Sequence, residues 1–139
     1  MYLPDKELYN QLDEEFIAPI RSYGCLFLCM YAFSPAILTK QRLNELWLLA
    51  VKKGIIVDNV IQNHNAMCAM LGWNCRYLDK HFPPDTQIEA NQKAIACFRW
   101  KYTHFVIVDK TKIILYDPLG CSETVKNGTL ESLRLYEEV

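Results

Sequence analysis

The stretch RSYGCLFLCMYAFSP, residues 21–35, decides the fold. Every residue from position 25 to position 33 is apolar or aromatic, so a helix built from this run has no polar face and must be buried on all sides. Pro35 ends it, because proline offers no backbone N–H and clashes with the preceding turn. The run therefore reads as a central helix inside a core. Gly24 stands directly before Cys25, which puts a thiol in the first turn of that helix. Two readings are open for Cys25: a small core hydrophobe, the commonest fate of a free cysteine, or a nucleophile at a helix start. Cys29, one turn deeper, reads as core.

Working outward, Leu8, Leu12, Phe16 and Ile17 recur at helical spacing, with Asp5 and Glu7 near the start and Pro19 beyond, which predicts an amphipathic helix over residues 4–17. After Thr39, Leu43, Leu46, Trp47 and Ala50 mark a second surface helix, and Gly54 supplies the residue just past its end. Asp58 is placed to cap a third helix through Val60, Ile61, His64, Met67, Cys68 and Leu71, stopping before Gly72. Beyond Gly72 the segments WNCRYL, AIACFRW, HFVIVD and KIILYD are short and β-rich, and Asn127-Gly128 suggests a last hairpin turn. Helices first and an antiparallel sheet second make an α+β architecture, expected as a single domain over residues 1–139.

Bulk properties narrow the function classes. Net charge is −1 over 139 residues, with Lys and Arg scattered, so no basic stripe is available to neutralise phosphates and no nucleic-acid partner is expected. No apolar run approaches the ~18 residues of a spanning helix, and the N-terminus lacks a secretory pattern, so a soluble, cytoplasmic protein without a membrane partner is expected. The six cysteines are then expected as reduced thiols. His64 and Cys68 lie four apart, followed by Cys75 and His81, but there is no Cys-x-x-Cys knuckle and the loops do not match a structural zinc spacing. Neither a metal nor another cofactor is expected.

The chemistry-bearing stretch is HFVIVDKTKIILYDPLG, residues 104–120. A two-residue loop at Lys110-Thr111 would pair Asp109 with Lys112 and bring His104 directly opposite Asp117, on one face with Cβ atoms roughly 4.5–5.5 Å apart. A carboxylate there holds an imidazole in one tautomer and stabilises its charged form. A four-residue loop keeps the pairing, whereas a three-residue loop shifts it by one and spoils it. His104 shares a face with Val106 and Val108, whose partners would be Leu115 and Ile113, so the pair would sit at the margin of a buried surface. Taken singly, His104 also reads as a strand-edge residue and Asp117 as the start of an Asp-Pro turn.

In chain order, Cys25, His104 and Asp117 supply nucleophile, base and orienter. The order and its context, YGCLFLCMYA and then HFVIVDKTKIILYDPLG, resemble the papain-like cysteine peptidase superfamily. The closest likeness is to the bacterial branch that cleaves double-glycine leader peptides and its uncharacterised relatives, and the chain is also similar to a small spirochaete family of unknown function. LNELWLLAVKKG, the helix ending at MLGW, and AIACFRW follow the same layout, so the likeness spans roughly residues 20–122. It implies a papain-like fold, a Cys25-His104-Asp117 triad, and a peptide or protein substrate in a cleft for which Arg21, Ser22, Tyr23, Gly24, Trp100 and Tyr102 are the candidates.

The family also implies a glutamine about six residues before the cysteine, whose amide joins the cysteine N–H in stabilising the oxyanion. Position 19 is Pro19, and the upstream Gln11 falls in the predicted first helix. Arg21 or Ser22 would have to substitute. Two function classes follow: a cysteine-dependent amide hydrolase, and a non-catalytic papain-like domain that binds a peptide or partner protein in the same cleft.

Overall fold

The computed structural model describes residues 2–139. Its elements are α1 (Ala18–Tyr23), α2 (Cys25–Phe33), α3 (Lys40–Lys52), β1 (Ile56–Val57), β2 (Val60–Ile61), α4 (His64–Met70), β3 (Cys75–Tyr77), β4 (Gln92–Arg99), β5 (Thr103–Val108), β6 (Ile114–Tyr116), α5 (Glu123–Asn127) and β7 (Thr129–Glu138). Five strands form one antiparallel sheet in the order β3-β7-β4-β5-β6, and β1 and β2 form a separate hairpin. The protein is α+β. No described helix is long and apolar enough to cross a membrane.

Both faces of the sheet are covered, which is why the strands read as apolar runs rather than as a clean alternation. One face, with Ile95, Ile107 and Tyr136, joins the main core together with α2, α3 and α4. The other, with Ala94, Ala96, Val106, Val108, Leu133 and Leu135, is closed by Ile88 and by partly buried Phe82, Val125 and Leu130. Helix α2 is the centre of the main core: Phe27 through Phe33 are all buried, as an all-apolar run requires. Helix α3 buries Leu43, Leu46, Trp47 and Ala50, starts on the Thr39 side chain, which accepts from the Arg42 N–H, and is followed by Gly54 at φ +74°.

Three expectations need correction. Residues 4–17 form no helix. The Asn10 side chain accepts from the Leu12 N–H and that of Asp13 from the Glu15 N–H, so local turns outcompete helical bonds. The segment is a strap instead, with Lys6 Nζ donating to the carbonyls of Tyr31, Ser34 and Ala36 at the end of α2, and Tyr9 stacked on Tyr31. Asp58 caps nothing: Asp58 and Asn59 take φ of +50° and +64° and make the two-residue turn joining β1 to β2. Both types tolerate the left-handed region that such a turn demands. Helix α4 starts later, with Asn63 accepting from the Ala66 N–H. Asn127 and Gly128 end α5 rather than turning a hairpin.

Candidate active site

Cys25 is the first residue of α2, and Gly24 makes that position possible. The Gly24 N–H donates to the Ile20 carbonyl at 2.8 Å, so α1 runs almost directly into α2. A Cβ on Gly24 would lie 2.6 Å from Ile20 O and 2.7 Å from Ile20 Cγ2, distances that any side chain would have to relieve by moving the junction. The close approach leaves Cys25 partly exposed while Leu28 and Cys29 are buried in the core. No side chain caps α2, so its first N–H groups have no capping side-chain acceptor.

His104 is the second residue of β5, opposite Phe98 on β4. Its Nε2 lies 2.6 Å from Asp117 Oδ1, with both side chains about 5% exposed or less. The Cys25 thiol lies close enough to the imidazole to favour its charged form. Since Nε2 belongs to Asp117, Nδ1 is the nitrogen left for sulfur. Asp117 is held in turn: Oδ1 accepts from the Leu119 N–H at 2.9 Å and Oδ2 from the Ser122 N–H at 3.1 Å. A turn closed by the Gly120 N–H on the Asp117 carbonyl, with Gly120 at φ +81°, supplies those donors.

The route by which Asp117 reaches His104 differs from the expected one. The β5–β6 loop has three residues, Lys110, Thr111 and Lys112, with Lys112 at φ +68° and Asp109 bonded to Ile113. The Asp109 carboxylate organises it by accepting from the N–H groups of Thr111 and Ile113. That loop alone would carry Asp117 to the wrong face. A bulge then intervenes, since Val108 pairs with Ile114 but Ile107 with Tyr116. The extra residue, Leu115, returns Asp117 to the face of His104, as a diagonal rather than a direct partner. Leu115 and Ile113, expected across from Val106 and Val108, are exposed.

The electrostatics follow from burial and bonding. Burial disfavours a charged His104, but the Asp117 bond and the neighbouring Cys25 outweigh it and raise the imidazole to about 9. Burial likewise opposes the Asp117 carboxylate, and the bonds from His104, Leu119 and Ser122 win, holding it below the ordinary range. Cys29, buried and near both Cys25 and Asp117, is raised well above a normal thiol; its Sγ contacts the Phe105 carbonyl at 3.6 Å.

A cavity of about 380 Å³ opens beside Cys25. Ser22 and Tyr23 line it, as do Thr103 and Phe105 on β5 and residues 59–61 of the small hairpin. The other cleft candidates lie elsewhere. Arg21 turns back to donate to the Phe16 and Glu14 carbonyls. Trp100 and Tyr102 sit at the tip of the β4–β5 hairpin, bonded through the backbone, and do not line the cavity. His64 and His81, weighed from the sequence only as metal ligands, line it too, as does Arg134, which sequence reasoning passed over. The last had a signal: in LESLRLYEE, Ser132, Arg134 and Tyr136 alternate with Leu133 and Leu135, a polar row on an inward face.

Gln11 is also placed differently. It lies in the strap, is buried, and bridges two parts of the site: its N–H donates to the Pro118 carbonyl at 2.7 Å and its Nε2 to the carbonyls of Ile20 and Arg21 at 3.0 and 3.1 Å. Its Oε1 is buried without a partner among the described residues. His64 bonds Tyr136 and stacks on Tyr77, Cys68 lies near Cys75, and no group of three or more metal-ligating side chains converges among the described residues. All six cysteines are free.

A family match runs over residues 8–138, which takes in the strap from Leu8, all three residues of the Cys25-His104-Asp117 cluster and the whole sheet. The chain belongs to the family described as "Protein of unknown function, DUF261". No curated protein and no solved structure matches it. Within the DUF261 span, Gln11 and Arg134 lie alongside the cluster, whereas Lys6 lies just before its start.

Proposed function

We propose that the chain is a papain-like cysteine hydrolase acting on an amide bond of a peptide or protein. The observation that carries the reading is the buried 2.6 Å bond between His104 and Asp117, on an imidazole whose charged form is also favoured by a nearby, partly exposed thiol that lines a cavity. The buried helix α2 against the antiparallel sheet fits the papain-like layout. Six free thiols fit the reducing cytoplasm.

In this mechanism His104 takes the Cys25 proton and Sγ attacks the substrate carbonyl carbon. The Cys25 N–H, at the positive end of α2, donates to the developing oxyanion. Imidazolium then gives its proton to the leaving amine, and a thioester remains. Water attacks the thioester while His104 accepts a proton, and the carboxylic acid departs with the thiol restored. Asp117 holds the tautomer and the charged form throughout.

A second reading, a non-catalytic domain that binds a peptide in the same cleft, is favoured by one observation. The amide hydrogens of Gln11 are both directed to the Ile20 and Arg21 carbonyls, and Pro19 occupies the usual glutamine position. Lacking one oxyanion donor costs about 10²- to 10³-fold in rate.

Substoichiometric iodoacetamide with peptide mapping separates the two. The hydrolase reading expects Cys25 to be alkylated ahead of the exposed Cys121 at mildly acidic pH, with the advantage lost in His104→Ala. Labelling that follows exposure alone, Cys121 first and unaffected by His104→Ala, favours the binding domain.

A further inference from the structure

The cavity beside Cys25 has a charge character that the Cys25-His104-Asp117 cluster does not explain. Its wall carries Arg134, His64 and His81 but no carboxylate. Arg134 stands on β7 opposite Ile95, on the sheet face shared with Ile107 and Phe105. Its guanidinium carbon lies 5.1 Å from the Phe105 ring centroid, and one N–H donates to Ser132 Oγ at 2.7 Å. Those contacts fix the plane of the group while leaving most of its five N–H donors unassigned.

No carboxylate neutralises it. Arg134 forms no ion pair among the described residues. Glu131 is paired with Arg99, and Asp79 is exposed and outside the cavity wall. Burial, and then the charge of Arg134, pull His64 down to about 4, so the cavity carries a fixed positive charge beside an uncharged imidazole. Holding a partly buried guanidinium without a counter-ion brings the fold no ion-pair energy and still costs desolvation. A carboxylate arriving from outside matches its planar fork.

We propose that this cavity binds an acidic side chain of the substrate, with its carboxylate on Arg134 while the adjoining peptide bond is presented to Cys25. The proposal rests on the hydrolase reading above and names its substrate class: a peptide with Glu or Asp close to the cleaved bond. The walls of the cavity divide the work. Arg134 supplies the charge, Ser22 and Thr103 add hydroxyls, and Leu26 and Phe105 accommodate the aliphatic stem.

Acetyl-tripeptide vinyl sulfones test it, in pairs that differ only by Glu against Gln at the first or second residue before the warhead. In one pair, the Glu probe is expected to label Cys25 about ten- to a hundredfold faster than its Gln isostere, the ratio given by one hydrogen-bonded charge pair. Arg134→Gln should bring that ratio close to one, and Arg134→Lys should keep part of it; because the ratio is taken within each variant, partial loss of fold cancels. Equal rates in the wild type, or a Glu preference that survives Arg134→Gln, overturn the acidic subsite. His104-dependent labelling of Cys25 by both probes of every pair at equal rates sinks only this inference. Failure of every probe to label Cys25 sinks the hydrolase reading as well.

Discussion

His104 Nε2 and Asp117 Oδ1 lie 2.6 Å apart, although no rung of the β5–β6 ladder joins the two residues. The ladder stops at Ile107 and Tyr116, and the turn that follows swings Asp117 onto the open edge of β5. Because the carboxylate is fixed by the Leu119 and Ser122 N–H groups as well, the imidazole finds its partner already oriented. This arrangement governs the titration of the site.

Asp117→Asn removes the negative partner that raises His104. The imidazole then loses its proton at lower pH. Under the hydrolase reading, the alkaline limb of the rate, set near 9 by His104 in the wild type, moves down, and the rate at neutral pH falls about 10²- to 10⁴-fold. A pH profile of hydrolysis checks both; an alkaline limb that stays in place contradicts the assignment.

The same pair makes stability depend on pH. His104 binds its proton more tightly in the folded chain, at about 9 against 6.5 for a free imidazole. Its contribution is therefore complete below about 6.5 and is lost as pH rises through about 9. Urea unfolding of the wild type against His104→Gln should show a gap of up to about 3 kcal/mol that closes across that window. A gap of constant size points to packing instead.

At Gly24 the constraint is steric. Gly24→Ala sets a methyl group against the Ile20 carbonyl and side chain, and the α1–α2 junction has to open. A loss of about 1–3 kcal/mol is expected, together with slower alkylation of Cys25 as it leaves His104. Unchanged urea midpoints and unchanged labelling would show that the junction yields without cost.

The strap makes a different prediction. Lys6 Nζ satisfies three carbonyls at the end of α2 and lies 3.6 Å from the Tyr31 ring centroid. Lys6→Met keeps the aliphatic stem but removes the donors, and stability should drop by about 1–3 kcal/mol. The midpoint of urea unfolding measures it, and a variant as stable as the wild type contradicts the clamp.

The parts of the fold legible from sequence were those in which one strong local preference acted alone. The apolar run at 25–33 has no soluble alternative to burial, and Thr39 with the Leu43-Leu46-Trp47-Ala50 spacing admits one amphipathic helix. The strap at residues 4–17 shows the opposite case. Its helical spacing is real, but Asn10 and Asp13 bond their own backbone, and Lys6 is drawn to the carbonyls of α2, a partner no local pattern announces. Asp58 was read as a cap because Asp serves caps and left-handed turns alike.

Nominating Cys25, His104 and Asp117 took only residue types and chain order, whereas the direct opposition of His104 and Asp117 expected from a two-residue loop does not form. The tertiary structure decided the rest. Whether Asp117 faced His104 depended on a three-residue loop and the Leu115 bulge together, and register is a property of two strands. Gln11 became a link between the Asp-Pro turn and α1, and Arg134 reached the cavity of Cys25. Those residues are separated from Cys25 by 14 and 109 positions, 25 − 11 and 134 − 25, and only burial of the shared core brings such distant segments together.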